Sequence, residues 1–67
     1  MGITVKNFPW QAVIKPGYDS INRNRIVNWL IMNIGLERCW WTYVGVEMHV
    51  LFTLREDQIL FKLTWYD

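Results

Sequence analysis

This sequence predicts a small α+β domain: one amphipathic helix, about 20–34, packed on an antiparallel sheet in the order β-α-β-β-β, with the last element also open to a helical reading. Three observations point there. Apolar residues recur at helical spacing through 20–34. Residues 46–54 alternate apolar and polar, the pattern of a strand packed on one side. The chain has 67 residues and is 52% hydrophobic, which suits a single core and a single domain, 1–67.

The elements follow in order. Ile3-Thr4-Val5-Lys6 alternates as a short strand does, Pro9 interrupts, and Ala12, Val13 and Ile14 resume before the stop signal Pro16-Gly17. The first strand therefore lies within 3–15, and Pro9 favours an edge position or a bulge. Asp19 and Ser20 are good N-cap residues. Ile26, Val27, Leu30, Ile31 and Ile34 then share one helical face, with Asn24, Arg25, Asn28 and Met32 opposite and Trp29 and Asn33 at the border. Gly35 ends the helix as a C′ glycine.

Trp40-Trp41-Thr42-Tyr43-Val44 reads as a strand, and Gly45 marks a turn or bulge. Val46, Met48, Val50, Phe52 and Leu54 form one face of the next strand; Glu47, His49, Leu51 and Thr53 form the other. Arg55 to Gln58 is a polar turn. In the closing segment Ile59, Phe61, Leu63 and Trp65 alternate against Leu60, Lys62, Thr64 and Tyr66, which favours a strand. Gln58, Phe61 and Trp65 also fit helical spacing, and Glu56-Asp57 suits a helix start.

Composition narrows the function. Seven basic and six acidic residues give a formal net charge of +1, too balanced for a general nucleic-acid or membrane-surface binder. Cys39 is the single cysteine, so no internal disulfide forms, and no Cys/His cluster offers a structural metal site. Residues 1–6 lack a basic region followed by an apolar run, and no stretch approaches the roughly 20 apolar residues of a membrane span. The expected setting is the cytoplasm.

Catalytic chemistry is not legible. His49 is the one histidine, with Glu47 two residues away on the same strand face, but no nucleophile accompanies them. Cys39 reads as a small buried hydrophobe. Asp19 suits a cap, Glu56 and Asp57 a turn, and the four glycines are isolated rather than gathered in a phosphate loop. The expectation is a protein that is not an enzyme and has no cofactor or metal.

The aromatic load is the strongest functional signal. The chain carries five Trp, three Tyr and three Phe, more than so short a chain readily hides. Trp40 and Trp41 are adjacent, so on a strand they face opposite sides and one of them lies on the open sheet face. Trp10, Trp40, Trp41 and Tyr43 are the partner-binding candidates, since Trp and Tyr dominate interface hot spots. A homo-oligomer is expected for the same reason. The alternative is capture of a nucleotide or a short single strand by aromatic stacking, with Arg23, Arg25, Arg38 and His49 as ligand contacts.

From the aromatic run onward the chain resembles a recurring group of small, uncharacterised tailed-phage proteins. The residues that carry the likeness are Trp40-Trp41-Thr42-Tyr43, then His49 to Leu54, then Glu56-Asp57, then Phe61-Lys62-Leu63-Thr64-Trp65. The helix end, Asn28-Trp29-Leu30 through Asn33-Ile34-Gly35, is also similar. Where that group often has Ala after the acidic pair, this chain has Gln58. The likeness covers about the last two-thirds of the chain and implies phage origin and expression in the bacterial host cytoplasm. The group has no assigned catalytic residues. Such a resemblance implies a non-catalytic accessory protein that binds a host protein, such as a component of a defence system, and interferes with it.

Overall fold

The alternation in the middle of the chain dictates the core. In the computed structural model, which describes residues 8–66, Met48, Val50 and Phe52 lie on one side of a strand and are fully buried. That strand, β3 (Glu47–Phe52), is the centre of a three-stranded antiparallel sheet. On its two sides lie β1 (Trp10–Ile14) and β2 (Cys39–Val44), giving the order β1-β3-β2. Two helices, α1 (Ser20–Asn33) and α2 (Arg55–Trp65), complete the order β-α-β-β-α. Ile26, Leu30 and Ile34 of α1 and Phe61 of α2 join Ala12, Cys39, Met48, Val50 and Phe52 in one core. Both helices therefore cover the same face of the sheet.

Local chemistry sets the boundaries. Asp19 caps α1, its carboxylate accepting from the Ile21 N–H at 2.9 Å. Gly35 adopts φ +97° just past the helix, where its N–H donates to the Leu30 carbonyl at 2.9 Å. The β2–β3 hairpin turns through Gly45-Val46, with Val44 opposite Glu47. Gly45 has φ +61° and Val46 does not share the left-handed region, the pattern of a type II′ turn with glycine first. β1 is an edge strand, as Pro9 suggested. The expected strand character of Ile3–Lys6 falls outside the described residues.

The α1 stripe is narrower than its sequence suggests. Ile26, Leu30 and Ile34 are buried, but Ile31 is exposed and Trp29 is packed inward. The reason is α2: its aromatic side chains lie on the Trp29 flank of α1 and leave the Ile31 flank uncovered. The Trp29 ring meets Phe61 at 5.9 Å and Trp65 at 6.4 Å, both edge-on.

The closing segment corrects the strand preference: it is the helix α2. Glu56 and Asp57 sit in its first turn, where the helix dipole favours carboxylates. As a helix it buries Phe61 completely, with Phe52 at 5.5 Å, and turns Leu63 outward. A strand would have placed Phe61 and Leu63 on one face and only extended the sheet, whereas the helix lays Phe61 over the core beside α1.

α2 also finishes the free edge of β1. The Tyr66 hydroxyl accepts from the Val13 N–H at 2.9 Å and donates to the Val13 carbonyl at 2.7 Å. Gln58 Nε2 donates to the Gln11 carbonyl at 2.6 Å. Covering an edge with side-chain donors and acceptors removes the ladder groups another strand would need.

Candidate functional site

Pairing register decides which side chains face away from the helices. Trp40 sits opposite Leu51, which in turn sits opposite Gln11 on β1. Thr42 sits opposite His49, and His49 opposite Val13. Val44 and Glu47 close the hairpin end. These three rows form the open face. Both helices lie on the other side, so among the described residues no element covers it. Trp40 is 47% exposed and Val44 56%, with Leu51 and Val13 half-buried beside them.

A polar line runs across the same face. Gln11 Nε2 donates to His49 Nδ1 at 3.2 Å, and His49 Nε2 lies 3.0 Å from Glu47 Oε1. One tautomer satisfies both contacts: the proton on Nε2, with Nδ1 accepting. Each ring nitrogen therefore has a partner within the chain, which fixes the orientation of the ring.

The other partner-binding candidates lie elsewhere. Trp41 points to the helix side and packs against the core. Trp10 lies opposite Phe52 and is 38% exposed, with the Arg55 guanidinium 5.6 Å from its ring. Tyr43 lies opposite Met48 with its ring 4.3 Å from the Arg23 guanidinium. Of the four, Trp40 alone belongs to the open face. Gln11, Val44 and Leu51 share that face; the alternation had already set Leu51 there with Glu47 and His49, while Gln11 and Val44 escaped the sequence reading. Val44 was accessible by its spacing, four residues beyond Trp40 on the same strand side.

The arginines are not brought together. Arg23 donates to the Gly17 carbonyl at 2.8 Å and to the Gly45 carbonyl at 3.0 Å, between the rings of Tyr18 and Tyr43. It ties the β1–α1 connection to the β2–β3 turn, with cation–π contact on two rings. Arg25 is exposed on the outer side of α1. Arg38 lies at the far end of β2, about 20 Å from the Gly45 turn at a strand's rise per residue. There it reaches the buried Asp57: Nε is 3.2 Å from Oδ2 and Nη2 3.4 Å from Oδ1. The Nε contact is off the line of a good hydrogen bond, so charge more than geometry holds this pair.

Cys39 is buried beneath this pair, its Sγ donating to the Gly35 carbonyl at 3.3 Å. Burial pushes the thiol up to about 11; Asp57 adds to the rise and Arg38 opposes it. At neutral pH it is a protonated core side chain rather than a nucleophile. An open depression of about 450 Å³ beside the α1–β2 connector is lined mainly by Ile31, Leu36, Glu37 and Arg38. Among the described residues no three His, Cys, Asp or Glu gather as metal ligands, and no helix is long and apolar enough to cross a membrane.

A scan against protein-family models gave no matching family, and searches of curated proteins and of solved structures gave no match.

Proposed function

We propose that this chain is a non-catalytic phage accessory protein that binds a host protein through the open sheet face and interferes with it in the bacterial cytoplasm. The observation that carries the reading is Trp40, an indole 47% exposed on a sheet face that no described element covers. Leu51 lies beside it across the β2–β3 pair, Val44 lies four residues further along the same face, and the Gln11–His49–Glu47 line adds polar groups between them. Apolar and hydrogen-bonding groups mixed on one exposed face suit a protein interface, and Trp is enriched among the residues that anchor one. Phage origin and the host setting rest on the sequence resemblance.

The nucleotide-capture reading has less support. It needs arginines free to meet phosphate, and Arg23 and Arg38 are held at opposite ends of β2 by partners within the chain.

Capture from bacterial lysate with tagged protein tests the proposal. A stoichiometric host protein is expected, lost with Trp40→Ala and with Val44→Lys while the circular dichroism spectrum is kept. Capture that survives both substitutions would place the contact elsewhere. A retained nucleotide in place of a protein would return the alternative.

A further inference from the structure

The two edges of the sheet are finished differently. In an antiparallel ladder, alternate residues direct their N–H and C=O toward the neighbouring strand and away from it. On β1 the outward residues are Gln11 and Val13, met by Gln58 of α2 and by Tyr66 just beyond its end. On β2 the Thr53 N–H donates to the Arg38 carbonyl at 3.0 Å, which sets the phase. Trp40, Thr42 and Val44 therefore face β3, and Cys39, Trp41 and Tyr43 direct their backbone groups outward. Among the described residues no hydrogen bond outside the β2–β3 ladder reaches the N–H or C=O of Trp41 or Tyr43.

Natural edges are blunted by lysine, proline, a bulge or a covering helix. Among the described residues β2 has none of these. Its sequence is Cys-Trp-Trp-Thr-Tyr-Val, and it pairs with β3 without interruption from Cys39 to Val44. It is uncharged and rich in the aromatic and β-branched residues that favour strands.

We propose that β2 pairs with the β2 of a second copy of this chain. The two strands run antiparallel about a two-fold axis and join two three-stranded sheets into one of six strands. A second copy fits because the strand is self-complementary. With the axis at Thr42, the outward groups of Trp41 meet those of the second copy's Tyr43, and the reverse, while Trp40 faces the second copy's Val44. An axis at Trp41 keeps the outward groups equally in phase. β2 carries no charge, so self-pairing sets no like charges opposite each other. A closed two-fold contact is also the commonest way for identical chains to associate. The pairing does not depend on host-factor binding, but it bears on it. With the axis at Thr42, two Trp40 side chains share one open face, about 14 Å apart along the strands.

A six-residue edge is smaller than a standard interface, so the association is expected to depend on concentration in the micromolar range. Sedimentation equilibrium of the full chain should show the mass rising with concentration from one chain, 8.1 kDa, to twice that. Thr42 is exposed, so Thr42→Lys keeps the fold, checked by circular dichroism, and sets two cations near the axis. It is expected to weaken the dimer by about tenfold or more. Thr42→Glu should do the same, and an equimolar mixture of the two variants should restore association. In the wild type, amide exchange at Trp41 and Tyr43 should slow as concentration rises. The proposal is overturned by a one-chain mass at every concentration, by a dimer indifferent to Thr42→Lys, or by a mixture that stays monomeric. Protected Trp41 and Tyr43 amides in a monomer would also overturn it. No host component enters these measurements, so failure here is distinct from failure of the host-factor reading.

Discussion

Tyr66→Phe removes one oxygen atom from the edge of β1 and leaves the rest of the side chain in place. That oxygen makes two hydrogen bonds to a single residue, accepting from Val13 N–H at 2.9 Å and donating to its carbonyl at 2.7 Å. A neutral hydrogen bond contributes about 0.5–1.5 kcal/mol net, and this site is exposed enough for water to replace part of the loss. The two bonds together should therefore hold the end of α2 against β1 by about 1–2 kcal/mol. Val13 faces away from β3, so its N–H has no ladder partner to fall back on. Native-state hydrogen exchange at Val13 should then speed up by about 5–30-fold, the factor that corresponds to 1–2 kcal/mol. Val50, fully buried on the central strand, serves as the internal reference for global unfolding. The Gln58 bond to Gln11 remains and keeps the middle of the edge covered. If Val13 exchanges at the wild-type rate in Tyr66→Phe, the hydroxyl does not hold this edge. The β1 edge is then covered at Gln11 alone.

Two further outcomes test the core. Phe61 is fully buried among Phe52, Trp29 and Trp65. Phe61→Ala should cost about 3–5 kcal/mol. A chain this short holds only about 3–10 kcal/mol in total at typical per-residue stability. Urea titration should show the cooperative transition lost or moved close to zero denaturant; a shift of less than about 1 kcal/mol would mean that this ring cluster is not the centre of the core. The second outcome concerns Cys39, whose ordinary value of 9.0 is raised to about 11 in the fold. Between these values the folded state keeps a proton that the unfolded chain releases, so the contribution is complete below 9.0 and is lost as pH rises through 11. Wild-type stability should decline across that window more steeply than that of Cys39→Ala, measured by urea titration at each pH. Equal slopes would show that burial does not disfavour the thiolate.

Much of the fold was legible because it rests on short-range patterns. The α1 signals, Asp19 before and Gly35 after a run at i, i+4 and i+8, are local stereochemistry and hold wherever the helix packs. The strict alternation of β3 is equally local, and so is the Pro9 signal for an edge. The closing segment was different. Residues 59–66 satisfy a period of two and part of a helical period, and propensity does not separate them. The helix wins through distant contacts: Phe61 on Phe52, Trp65 on Trp29, Arg38 on Asp57, and Tyr66 on Val13.

The candidate site divides the same way. Adjacency alone requires Trp40 and Trp41 to face opposite sides of a strand, since side chains alternate about the backbone. Which of them is outside depends on the register with β3, which places Trp41 opposite the buried Val50 and Trp40 opposite Leu51. The arginines near the aromatics in sequence suggested ligand contacts, but a guanidinium reaches far enough to satisfy carbonyls and carboxylates from other elements. Arg23 bonds Gly45 and Arg38 meets Asp57, pairings separated by 22 and 19 residues. Composition, caps and periodicity set the class of fold, the helix and the central strand, because each depends on neighbours a few residues apart. The identity of the last element, the exposed tryptophan and, among the described residues, the uncovered edge of β2 came from long-range packing, because each depends on which surfaces the other elements had already covered.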